Sequence, residues 1–278
     1  MSRLKYSGSY IFRGALLGAT QFWRVSRVFS MNDLREVTFR FYGDLKRFLP
    51  QGKRTGAFTY AVKGSPAVKD TIEALGVPHG EVDGLVINGR SVGFYEPVKG
   101  NDTIAVYPDS SKIRLRKIKR LKPKLPANPK FILDVHLGKL TRHLRLLGFD
   151  CLYQRSYKDQ DIVETTLSQR RIVLTRDVGL LKNKLIKFGY FIRHTEPDKQ
   201  IREVITKFSL SFKTKPFHRC LECNGLIRRI SFLRVINHLP PKVSKYYKEF
   251  VTCRICGRVY WKGSHYKQLL KVVKRISV

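Results

Sequence analysis

Two cysteine pairs, Cys220-x-x-Cys223 and Cys253-x-x-Cys256, constrain the C-terminal part of this chain more than any other feature. Each C-x-x-C offers two thiolates from one tight knuckle, and two knuckles complete a closed tetrahedral Zn²⁺ site. Four sulfur ligands leave no open coordination position, so such a metal is structural. Two disulfides are the alternative, disfavoured by the spacing and by the lack of a secretory signal. The fifth cysteine, Cys151, follows a predicted helix and reads as buried packing. Arg219, Arg228, Arg229, Arg254, Arg258 and Lys262 surround the knuckles, interleaved with Tyr246, Tyr247, Tyr260 and Trp261. That mixture suits stacking on unpaired bases with phosphate contacts; the rings also serve as core in so small a module.

Charge sets the partner class. Lys and Arg total 55 against 21 acids, a formal net charge of +34. Such a chain repels itself unless a polyanion or counterions relieve it. Nucleic acid is the first expectation and an anionic membrane surface the second. No apolar run approaches the roughly 18–20 residues of a membrane span, so the chain reads as a soluble, cytoplasmic protein with no membrane partner. The charge is uneven. Residues 37–107 hold 9 basic and 7 acidic residues, whereas residues 213–278 hold 16 and 2. Between them, Lys112–Lys124 carries 8 basic residues and no acid.

Five segments follow. Residues 1–36 read as a basic extension, poorly ordered or produced by an upstream start codon, with an RNA-touching arm as a third reading. Residues 37–108 read as a small α+β unit. VTFRFYG and AFTYAV are strands, SPAVKDTIEALG a helix with Ser65 as its cap, Asn88-Gly89 a hairpin turn, and DTIAVYP a last strand. This ββαββ order resembles the β-grasp (ubiquitin-like) fold, closest to the small sulfur carriers. Those carriers end in Gly-Gly, whereas this strand runs into YPDSSKIRL. Sulfur transfer is therefore disfavoured, and docking of a protein partner or orientation of RNA is expected instead.

Residues 109–129 form a basic linker stiffened by prolines. Residues 130–212 alternate strands and helices, which implies a mostly parallel sheet with helices on both faces. Residues 213–278 hold the cysteine module and a basic C-terminal helix.

In an open α/β sheet, ligands bind beyond the carboxyl ends of the strands. Asp134 ends FIL and Asp177 ends IVLT, while Asp159 and Asp161 begin the helix between them. Clustered carboxylates repel unless divalent cations neutralise them, typically Mg²⁺ or Mn²⁺. Such metals generate hydroxide and stabilise phosphate during in-line attack. Each acid also has a plain structural reading, Asp177 and Asp159 as helix caps above all. Arg142, Arg145 and Arg176 lie close by and are the expected substrate-binding cations. Arg142 and Arg145 are placed on an exposed helix face opposite a leucine stripe.

FILDVHLGKLTRHLRLLGFD, RRIVLTRD and CLEC…CRICGRVYWKGSH together resemble the Mut-seven C-terminal RNase domain family, a PIN-like nuclease fold with a zinc ribbon, preceded in many members by a β-grasp domain. The resemblance implies an α/β architecture: a PIN-like parallel-sheet domain, a C-terminal zinc ribbon and an N-terminal β-grasp domain. It also implies Asp134, Asp159 or Asp161, and Asp177 as acidic active-site positions, with the four cysteines on zinc. PIN-like relatives often carry a further acid where this chain has Gly179, and Glu164 is the substitute at hand. The expected function is a Mg²⁺- or Mn²⁺-dependent ribonuclease acting on tRNA, rRNA or other structured or single-stranded RNA. The rival is a non-catalytic RNA-binding protein, associated with tRNA or the ribosome, whose acids are structural.

Overall fold

The computed structural model describes residues 34–108, 113–114, 117 and 119–276, so the expectation for residues 1–33 lies outside the described residues. The first five strands are β1 (Leu34–Phe41), β2 (Phe58–Lys63), β3 (Gly84–Ile87), β4 (Arg90–Val92) and β5 (Thr103–Tyr107). They form one sheet in the order β2-β1-β5-β3-β4, with β1 and β5 parallel at its centre. Alternation in β1 puts Val37, Phe39 and Phe41 into the core, where Val68 and Ile72 of α1 (Val68–Ala74) meet them. Asn88 and Gly89 both have positive φ, as a tight hairpin turn requires.

The helix starts later than Ser65 implies. Ala67 has extended backbone and bridges Pro97, and the N–H groups of Val68 and Lys69 donate to Glu96 and Phe94 carbonyls. A neighbouring loop thus satisfies the donors that a Ser65 cap would have served.

The second sheet is wholly parallel, in the order β7-β6-β8-β9: β6 (Phe131–Leu133), β7 (Cys151–Leu152), β8 (Ile172–Thr175) and β9 (Gly189–Phe191). All residues of β6 and β8 are buried, the mark of strands covered on both faces. One face packs against α2 (Gly138–Leu146) and α5 (Pro197–Lys207) through Leu140, Leu144, Ile201 and Val204. The other packs against α3 (Asp159–Gln169) and α4 (Val178–Leu181) through Ile162, Val163 and Leu180. α4 is only four residues long. Asn183 stops it by accepting the Leu185 N–H with its side chain and the Ile186 N–H with its carbonyl.

The last module contains α6 (Pro241–Tyr246) and an antiparallel sheet of β10 (Ile227–Ile230), β11 (Phe250–Cys253) and β12 (Val259–Trp261). It closes with α7 (Ser264–Ile276), whose Val273 and Ile276 enter the core of the parallel domain.

Buried charge joins the two N-terminal sheets. Arg193, just past β9, reaches Glu81 at 3.2 Å, Glu203 at 3.2 Å and Asp44 at 3.4 Å. Glu81 also accepts the Phe191 N–H at 2.6 Å. The connecting segment is pinned as well, because Leu121 and Lys122 donate backbone N–H groups to Asp83. Removing Arg193 leaves Glu81 and Glu203 buried without their cation. Arg193→Ala is therefore expected to cost about 3–5 kcal/mol in a denaturant titration, with Glu81→Gln recovering part of that loss.

Candidate active site and zinc module

The parallel pairing of β6 with β8 sets Leu133 beside Leu174, so the next residues of both strands emerge at one edge. Asp134 is buried there, and three donors hold its carboxylate. The His136 N–H donates at 2.8 Å, the Arg176 N–H at 3.0 Å, and the Thr175 hydroxyl makes a short bond. Thr175 itself is fully buried, and its oxygen accepts the Asp177 N–H at 2.8 Å. One hydroxyl therefore links the two strand-end aspartates.

Asp177 is exposed and caps α4 by accepting the Gly179 N–H at 2.6 Å. A Cβ at Gly179 would lie 3.1 Å from Asp177 Oδ1, so an acid there would stand directly beside it. Asp159 opens α3 on the same sheet edge but is not its cap. Asp161 serves that end instead, accepting the Lys158 N–H at 2.8 Å. Glu164 is paired with Gln160 further along the helix. Among the described residues, the acids do not gather into a group of three metal ligands; the four cysteines do.

The three arginines differ from one another. Arg142 is exposed and pairs with Glu222 at 2.9 Å. Arg145, expected on an exposed face, is buried, because the cysteine module covers that side of α2. Its guanidinium donates to the carbonyls of Cys151, Leu221 and Glu222. Arg176 donates to the carbonyls of Ile192, Arg193 and His194, tying the end of β8 to the chain after β9. The last two act as struts within the protein, and Arg142 alone of the three presents itself to solvent.

The four sulfurs lie within 4.8 Å of one another, with Cys220–Cys256 at 3.7 Å and Cys223–Cys253 at 3.3 Å. Zn–S bonds of about 2.3 Å in a tetrahedron put sulfurs roughly 3.8 Å apart, so the cluster fits zinc. Burial pushes the Cys220 thiol up, but hydrogen bonds from Tyr260 and from backbone N–H groups outweigh it and bring it down to about 7. The Tyr260 hydroxyl lies 3.0 Å from that sulfur. Cys151 is fully buried in the hydrophobic core and takes no part in the cluster. The knuckle is held to the parallel domain by Arg145 and by Asn224, which contacts the Cys151 N–H and Asp150.

The family model described as Mut7-C RNAse domain matches residues 129–273, more than half of the chain. The chain belongs to that family. A second model, described as Mut7-C ubiquitin, matches residues 34–114, the five-stranded unit. No curated protein and no solved structure matches the chain. Among the described residues, no helix is long and apolar enough to cross a membrane.

Nothing in the sequence marks Thr175, because a threonine ending a β-branched strand looks like ordinary strand composition. Gly225 is a second such residue: a Cβ there would lie 2.7 Å from the Cys253 sulfur. Metal analysis of the purified chain should return one zinc per molecule. Gly225→Val should lower that content to the level of a Cys220→Ser/Cys253→Ser control; a full zinc complement in the Val variant would contradict the packing described.

Proposed function

We propose that this chain is a metal-dependent ribonuclease whose principal acidic residues are Asp134 and Asp177. The observation that carries the reading is their delivery to adjoining strand ends, linked through Thr175, within a domain of an RNase family. Their hard oxygen donors suit Mg²⁺ or Mn²⁺, which commonly take one or two carboxylates and complete their shell with water and phosphate oxygens. When bound there, the ion supplies an activated water and positive charge for the attacked phosphodiester. The buried Asp134 carboxylate is oriented in advance by its three donors, while exposed Asp177 stays open to an incoming strand. Asp159 and Asp161, on the same edge, complete the acidic surface and position water. Arg142 contacts phosphate; Arg145 and Arg176 hold the zinc knuckle and the β9 segment in place. RNA is the substrate class, held across the edge by the basic surfaces and the ribbon, and tRNA, rRNA and single-stranded RNA are all within reach of such a surface. The β-grasp domain offers a docking face to a protein partner.

A second reading has one observation in its favour. No third acid joins Asp134 and Asp177 among the described residues, and Asp177 and Asp161 both have capping bonds. A non-catalytic RNA-binding protein would have this arrangement, and it would bind RNA in a salt-sensitive manner without turnover at any metal concentration.

The two readings separate in one assay of RNA cleavage with Mg²⁺ or Mn²⁺. Asp134→Asn and Asp177→Asn should each lower the rate by more than the roughly 100-fold that follows loss of an outer-shell partner. Thr175→Val, which removes a positioning group, should cost about 10–100-fold and raise the Mn²⁺ concentration needed for half-maximal rate. Cleavage that survives both aspartate changes, or needs no metal, overturns the assignment.

A further inference from the structure

A cavity of about 480 Å³ opens at the carboxyl edge of the parallel sheet, on the side covered by α2 and α5. Its walls come from three parts of the same sheet edge. His136 follows Asp134 by two residues, Arg155 follows the end of β7, and Thr195 follows β9. Lys139 and Arg142 line it from the first turns of α2, and Glu222 of the first cysteine knuckle closes the far side. Such a volume is in the range of sites that take a small ligand or one unit of a polymer.

The charge in this cavity is lopsided. Five of its lining residues are Lys, Arg or His: His136, Lys139, Arg142, Arg145 and Arg155. All but Arg145, which is buried and spent on backbone carbonyls, are exposed. Glu222 is the one acid in the lining, and it is shared between Arg142 at 2.9 Å and Arg258 at 3.7 Å. The nearest acids on the start of α5 are taken up elsewhere, Glu196 by Lys199 and Asp198 by Arg275. Among the described residues, the side chains of Lys139 and Arg155 have no anionic partner. Like charges brought around one concavity raise the local positive potential and call for an anion. The wall is also shaped by a close approach: a Cβ on Gly138 would lie 2.8 Å from the Tyr153 hydroxyl, which donates to the Val135 carbonyl. Glycine at 138 lets the Tyr153 ring settle against the start of α2 as part of the cavity wall.

We propose that this cavity is a phosphate-binding subsite, which seats a backbone phosphate of the RNA one or a few nucleotides from the position facing Asp134. Lys139 and Arg155 supply the charge, and Arg142 joins them by exchanging Glu222 for the phosphate. The subsite extends the ribonuclease reading by fixing where the strand lies relative to the acids: it enters over α2 and the knuckle and crosses the edge toward Asp177. It rests on that reading only for the identity of the polymer.

The test uses the full zinc-loaded chain without divalent activator, so that RNA stays intact. Binding of a short 3′-labelled single-stranded RNA is followed by fluorescence anisotropy across a salt series. Lys139→Gln/Arg155→Gln should weaken binding about tenfold or more near physiological salt and reduce the slope of log affinity against log salt by about 1–2. Arg47→Gln/Lys99→Gln, which removes the same charge from the β-grasp domain, should change affinity less than about threefold. Equal losses from both pairs would mean a diffuse field and overturn the subsite, as would no loss from the first pair. Calorimetric titration with inorganic pyrophosphate forms the second arm. If the wild type ignores RNA yet binds pyrophosphate in a manner lost with Lys139→Gln/Arg155→Gln, the subsite stands and the RNA reading falls. Failure to bind either anion overturns the subsite.

Discussion

The strand-end site depends on the burial of Asp134 at the point where β6 and β8 end side by side. A carboxylate taken from water is tolerated only with hydrogen-bond donors or a cation to replace the lost hydration. Here two backbone N–H groups and the Thr175 hydroxyl do so, and all three belong to the strand ends and turns that define the edge. The position of the acid is therefore a property of the sheet pairing rather than of a mobile loop. Since Thr175 also accepts the Asp177 N–H, the second acid inherits its placement from the first. The interior of both strands is wholly apolar, so polar chemistry can appear only where the strands stop.

Arginine makes the joints between the modules. Arg145 fastens the cysteine knuckle to α2 through backbone carbonyls, Arg176 fastens the β9 segment, and Arg193 gathers acids from both N-terminal sheets. A planar guanidinium with five donors can satisfy several carbonyls or carboxylates at once. In a chain with so large a positive charge, some of that charge is thus internal architecture. The remainder, including Lys139, Arg142 and Arg155, is left on surfaces where a polyanion would lie. The first cysteine knuckle consequently has two places in the fold, since it supplies half of a cluster that could hold a metal ion and lines the cavity beside α2.

Much of this was legible in the residues. The spacing of Cys220, Cys223, Cys253 and Cys256 announced the cluster, Asn88-Gly89 announced its hairpin, and strand–helix alternation announced the parallel sheet. The positions of Asp134 and Asp177 at strand ends followed from where the apolar runs stop. Tertiary contacts decided the rest. Helical spacing put Arg145 on the polar side of α2, but only the docked cysteine module buries it. Arg176 beside Asp177 looked like a phosphate contact, and the chain after β9 takes up its donors. The shortness of α4 depends on the side chain of Asn183 competing for backbone donors, a local choice that the periodicity of GLLKNKLIKFG hides. Ser65 lost its capping role to loop carbonyls brought in from residues 94–96, a contact no local pattern records.

On the function proposed above, Asp134 and Asp177 would share one divalent ion. Anomalous diffraction from crystals of the zinc-loaded chain soaked in Mn²⁺ tests it directly. A manganese peak held by these two carboxylates is expected, absent from crystals of Asp134→Asn. A peak elsewhere on the protein with none at this edge, under soaking conditions in which the wild type cleaves RNA, would contradict it.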